Sequence, residues 1–163
     1  MKGKFRILLW IGIFMTYYLV ACGSKTGETG PVKVKLSEGY IAMDNEYAYI
    51  TLSMPKDSIV VGLEQEFSIE NRTDQTIIVN MTKSIINDYD ISTIFYEEIE
   101  PGQTKKGNIY WTTTGVHNIA SASEVTSVGV GFEITNKSKK VLYSGPLVIA
   151  DKNYDDSSNN KKP

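Results

Sequence analysis

A strict two-residue alternation of apolar and polar side chains runs through most of this chain, and it narrows the choice of folds more than any other feature. Ala48, Ile50, Leu52 and Met54 alternate with Tyr47, Tyr49, Thr51 and Ser53. Phe67 and Ile69 alternate with Ser68 and Glu70, and Ile77, Val79 and Met81 follow after the turn cluster Asn71-Arg72-Thr73-Asp74. Val128, Val130, Phe132 and Ile134 alternate with Gly129, Gly131 and Glu133. Successive side chains of a strand point to opposite faces, so this period buries one face and wets the other, as antiparallel sheets do.

Shorter strand-like runs complete the pattern: Val32 to Leu36, Ile94 to Ile99, Asn108 to Thr113, Val141 to Tyr143 and Leu147 to Ile149. Outside the N-terminus no segment of ten or more residues carries a 3.6-residue apolar stripe. Pro55, Pro101 and Pro146 stand at strand boundaries, where a missing amide costs least. Seven to nine short strands separated by turn residues predict an all-β chain with a single immunoglobulin-like antiparallel β-sandwich over 31–152. Trp111 is expected in its core.

The N-terminus follows different rules. Lys2, Lys4 and Arg6 precede an apolar run from Ile7 to Leu19 that only Gly12 and Thr16 interrupt, the layout of a secretory signal and short for a stable membrane span. Leu19-Val20-Ala21-Cys22 resembles a bacterial lipobox. The resemblance implies a signal peptide over 1–21, a diacylglycerol on the Cys22 thiol, and a mature chain that begins there. Residues 22–30 are small and polar and read as a flexible tether reaching about 15–20 Å. Residues 153–163 are polar and read as a disordered tail. Location is thus the best determined property: the outer face of a bacterial cell membrane, held by lipid.

Removing residues 1–21 leaves about 142 residues, enough for one well-packed domain. It also removes three of the 17 basic residues and none of the 19 acidic ones, so the formal charge moves from −2 to −5. A mildly acidic domain without a basic stripe is not built for nucleic acid or for electrostatic adhesion to anionic lipid. Cys22 is the one cysteine, so a disulfide, a cysteine-ligated zinc and a second thiol are excluded.

A wider resemblance rests on three stretches. Phe67-Ser68-Ile69-Glu70-Asn71-Arg72-Thr73-Asp74 is similar to the strand, asparagine and turn of immunoglobulin-like domains in Gram-positive cell-envelope lipoproteins of unknown function. Ile86-Asn87-Asp88-Tyr89 with Phe95-Tyr96, and Ile99-Glu100-Pro101-Gly102-Gln103 with Lys105-Lys106-Gly107, resemble the middle of the same domains. The resemblance spans Lys33 to Ile149 and consists of turns and core positions, so it implies a fold and no active site. Where those domains usually carry Asn-Gly, this chain has Asn87-Asp88, which also tolerates left-handed backbone.

Candidate chemistry is sparse. His117 is the one histidine, in a loop-like Thr114-Gly115-Val116-His117-Asn118, and no Gly-x-Ser-x-Gly accompanies it. Glu98 and Glu100 would share a strand face about 7 Å apart, a separation used in inverting glycoside hydrolysis, but exposed acids beside a Pro-Gly turn lack the burial a general acid needs. Asn87-Asp88-Tyr89-Asp90 and Asp155-Asp156 offer oxygen ligands without the glycine and distal glutamate of a calcium loop. Met43 and Met54 have a spacing found among copper(I) ligands, yet no His-x-Met accompanies them and core packing explains them better. With a lipobox upstream, the sequons at Asn71, Asn80 and Asn136 read as chance.

Many amphipathic rings remain, and Tyr47 and Tyr49 would share the wet face of their strand as a candidate binding surface. The expectation is a non-enzymatic, lipid-anchored binding or adaptor module that recognises a protein or envelope component, with no cofactor. An immunity or exclusion lipoprotein is its more specific form. A copper(I)-binding envelope chaperone and a weak carboxylate-dependent hydrolase are the alternatives.

Overall fold

The computed structural model describes residues 30–59, 62–112 and 119–155. The chain is all-β, with two sheets packed face to face. The large sheet takes β1 (Val32–Lys35), β6 (Ile77–Ile86), β7 (Tyr89–Asp90), β8 (Tyr96–Ile99), β10 (Ser127–Asn136), β11 (Val141–Ser144) and β12 (Val148–Asp151). The small sheet takes β2 (Gly39–Asp44), β3 (Ala48–Ser53), β4 (Lys56–Ser58), β5 (Gly62–Asn71) and β9 (Thr104–Thr112).

The connections interlock. β5 pairs with β9 in the small sheet while β6 pairs with β10 in the large one, and the chain crosses between sheets after β1, β5, β8 and β9. This Greek-key weave gives the immunoglobulin-like arrangement. One ladder departs from the expected antiparallel rule: β1 runs parallel to β12, with Val32 opposite Val148. The cause is the crossover at Leu36–Glu38, which carries the chain from the outer side of β12 into β2 of the other sheet.

Alternation places the core as expected. Ala48, Ile50, Leu52, Ile69, Val128, Val130 and Ile134 are buried, and Trp111 has no exposed surface. Phe67 of the small sheet meets Phe95 edge-on at 5.1 Å between ring centres, and Phe95 meets Phe132 of the large sheet at 5.8 Å. This edge-to-face chain ties the two layers together. Gly107 lies opposite Phe67, and a Cβ there would stand 2.8 Å from the ring.

Two bulges change which residues point inward. Ala42 is an extra residue between Ile41 and Met43, and Thr82 is skipped between Met81 and Lys83. Beyond Thr82 the buried parity of β6 therefore moves from Ile77 and Val79 to Ser84 and Ile86. The two-residue turn after β6 has positive φ at both Asn87 (50°) and Asp88 (69°), as a type I′ hairpin requires. The Ile94–Ile99 run is shorter than expected: β8 starts at Tyr96, Phe95 turns inward, and Ile94 is fully exposed.

Candidate functional site

The outward face of the small sheet is concave. Its middle carries small side chains where β3, β5 and β9 lie side by side: Thr51 is opposite Ser68, and Ser68 is opposite Lys106. Ile41 on β2 extends this row, and Glu66 opposite Asn108 forms the next one. The hollow measures about 700 Å³, and Tyr49 and Ile41 stand in its wall. Short residues flanked by longer ones on a twisted sheet are enough to create such a groove.

Its floor is chemically available. The Thr51 and Ser68 hydroxyls and the Asn108 amide have no partner among the described residues, whereas Ser53 Oγ accepts the Glu66 amide at 3.0 Å and donates to the Met54 carbonyl at 2.9 Å. Glu66 is neutralised by Lys56 at 2.7 Å, and that hydrogen bond holds its carboxyl below the usual range. Tyr49 is fixed from the other side: Arg72 lies 5.0 Å from its ring centre and is itself anchored to Asp44 at 2.6 Å.

Tyr47 does not join this face. It precedes β3 in a turn where Asn45 Oδ1 accepts the amides of Tyr47 and Ala48 at 2.8 and 3.0 Å, and its ring lies 6.1 Å from that of Tyr143. Of the two tyrosines, Tyr49 lines the groove and Tyr47 packs against the edge of the core. A second, smaller hollow of about 270 Å³ opens between β2 and the large sheet, lined by Ile41, Met43, Phe132 and Tyr143 among others.

Glu98 and Glu100 lie on the surface and share Lys137, at 3.0 and 3.5 Å. A hydrogen bond from Thr76, and then the Lys137 charge, hold the Glu100 carboxyl below its ordinary value, the opposite of what a general acid requires. Met43 is buried opposite Ile50, and Met54 lies four residues beyond Ile50, about 13 Å away and out of reach of a shared ion. Asn87 Oδ1 accepts the Thr126 and Ser127 amides, and Asp90 is paired with Lys83 at 2.5 Å, so both groups already have protein partners. Among the described residues no three His, Cys, Asp or Glu side chains cluster as metal ligands. Cys22, most of the tether, His117 and Asp156 lie outside the described residues.

Of the three sequons, Asn71 serves the fold. It is buried, donates to the Gln75 and Ile99 carbonyls, and accepts from the backbone and hydroxyl of Thr73. Sequence reasoning did not single out Thr51, Ser68 and Asn108, because a lone hydroxyl or amide on a wet strand face carries no signal until the register aligns it with others. Compared with protein-family models, curated proteins and solved structures, the chain matches none.

Proposed function

We propose that this protein is a lipid-anchored, extracytoplasmic binding or adaptor module that recognises a protein or envelope component. The observation that carries the recognition half is the concave face of the small sheet. A floor built from three adjacent strands presents unengaged hydroxyl, amide and ammonium groups beside an aromatic wall. Polar groups next to apolar area give orientation and affinity together. The anchoring half rests on Leu19-Val20-Ala21-Cys22 at the end of the N-terminal apolar run.

Fractionation of cells expressing the wild-type chain and Cys22→Ser tests the anchor. The wild type is expected with membranes, and the variant in the medium or unprocessed; identical processing and membrane retention would sink the anchored reading. A photo-crosslinking residue placed at Ser68 is expected to capture an envelope component on intact cells. The same residue placed at Lys83, on the large sheet, is expected to capture none, and equal yields from both positions refute recognition through this face.

A further inference from the structure

We infer that the groove on the small sheet is a subsite for a short, uncharged oligosaccharide, which rests on the binding-module reading and names its ligand class. Three features of the groove point to this chemistry. First, the floor offers side-chain hydrogen-bonding groups only: Thr51, Ser68 and Asn108 face outward, while the backbone of β3 and β5 is used up in sheet ladders on both sides. An extended peptide needs a free strand edge to pair with; the middle of this face provides none, and the unpaired edges of β2 and β9 lie at the two rims of the hollow. A sugar ring needs scattered hydroxyl and amide partners, and the row across Thr51, Ser68 and Lys106 supplies them at strand spacing, about 5 Å apart.

Second, the wall is apolar where the floor is polar. Tyr49, braced by Arg72 on one side, and Ile41, which is 47% exposed, give the groove surfaces suited to the C–H face of a sugar. Third, the charges of the lining are close to balanced. Glu66 is paired with Lys56, which also reaches Glu64 at 3.5 Å, and the two charges without a described partner, the Glu38 carboxylate and the Lys106 ammonium, are opposite in sign. An anionic polymer would meet as much repulsion as attraction there, so charge complementarity selects a neutral ligand. The hollow of about 700 Å³ is within the range of small-ligand sites.

The test uses the processed chain, titrated with short N-acetylglucosamine and glucose oligomers and followed by backbone amide shifts. Saturable shifts centred on Thr51, Ser68 and Asn108 with at least one series are expected. Thr51→Val and Ser68→Ala should each weaken binding roughly fivefold to tenfold, as expected for a lost hydrogen bond, and Tyr49→Ala by at least as much. Tyr110→Ala, on the same strand as Asn108 but outside the groove, should leave affinity unchanged. Unaltered Trp111 emission verifies that each variant is folded. Flat titrations with both series overturn the inference, as do shifts confined to the outer edge of β2 or to the Ile41–Tyr143 hollow. A flat titration combined with Cys22-dependent anchoring and capture through Ser68 removes the sugar and leaves the binding module standing.

Discussion

Asn71 at the end of β5 is the most exacting single test of how this sandwich holds together. Its side chain is 1% exposed and makes four hydrogen bonds: Nδ2 to the carbonyls of Gln75 (2.8 Å) and Ile99 (3.0 Å), and Oδ1 from the amide and hydroxyl of Thr73 (both 2.8 Å). It closes the turn into β6 and ties the small sheet to the end of β8 in the large one. Asn71→Ala deletes all four bonds, but the consequences differ. Thr73 and Gln75 lie near solvent and can rehydrate, so their loss costs about 1 kcal/mol together. The Ile99 carbonyl is bonded in a buried setting, and leaving it unsatisfied adds about 1–3 kcal/mol. The expected total is about 3 kcal/mol. Urea unfolding of the chain without residues 1–21, followed by Trp111 fluorescence, reads this directly. With a slope of about 1.5 kcal/mol/M the midpoint should fall by roughly 2 M at unchanged slope. Thr73→Ala, which spares the Ile99 bond, should cost about 1 kcal/mol. A midpoint shift for Asn71→Ala no larger than that of Thr73→Ala would refute the reasoning, because the orphaned Ile99 carbonyl would then add nothing to the cost.

Gly107→Ala should destabilise by about 1–3 kcal/mol, since its Cβ would stand 2.8 Å from the Phe67 ring; Phe67→Leu in the same background should recover part of the loss in a thermal melt. After removal of residues 1–21, which contain Trp10, Trp111 is the one tryptophan, so the folded protein should show blue-shifted emission resistant to acrylamide, and exposed-type emission would place Trp111 wrongly. The Glu100 carboxyl lies below its ordinary value of 4.5 in the fold, so its contribution is present above that pH and is lost as pH falls through its folded value. Glu100→Gln should therefore flatten the acid limb of stability against pH, weakly and less so in high salt because the group is exposed; an unchanged limb contradicts the Thr76 and Lys137 contacts.

How much of this was legible in the sequence depends on what kind of signal each part leaves. The core was legible because burial of one strand face writes itself as period two, from Ala48 to Leu52 and from Val128 to Ile134. The Asn87-Asp88 turn was legible because few residues accept positive φ. Each miss has its own cause. β4 is three residues of Lys56-Asp57-Ser58 whose only strand signal is the partner it pairs with. The bulges at Ala42 and Thr82 interrupt the period of two itself. Tyr47 has the parity of Tyr49, but the cap supplied by Asn45 puts it in a turn and lays its ring toward Tyr143. The groove is the clearest case: Thr51, Ser68 and Lys106 lie far apart in the chain and become neighbours only through cross-strand register.

Strand polarity adds a constraint that bears on how such a groove would work at a membrane. β1 enters beside β12 on the large sheet, and the chain reaches the small sheet only after Leu36. Gly30, the first described residue, therefore leads into the sheet opposite the groove. With the proposed lipid on Cys22, the eight residues Gly23 to Gly30 allow a root-mean-square reach of about 15–20 Å, comparable to the thickness of the two packed sheets with their side chains. On that proposal the anchor would confine the domain near the lipid, with β1 entering the sheet that does not carry Thr51, Ser68 and Tyr49. Binding to a ligand fixed in the same envelope becomes partly intramolecular, so a weak site gains from high effective concentration. This gives a length dependence that can be measured. Doubling the Gly23–Gly30 segment should change retention of a groove-bound ligand only slightly. Deleting it should abolish capture through Ser68 while leaving the titration of the free domain unchanged, and equal loss in both assays would mean that the segment serves folding and does not act as a tether.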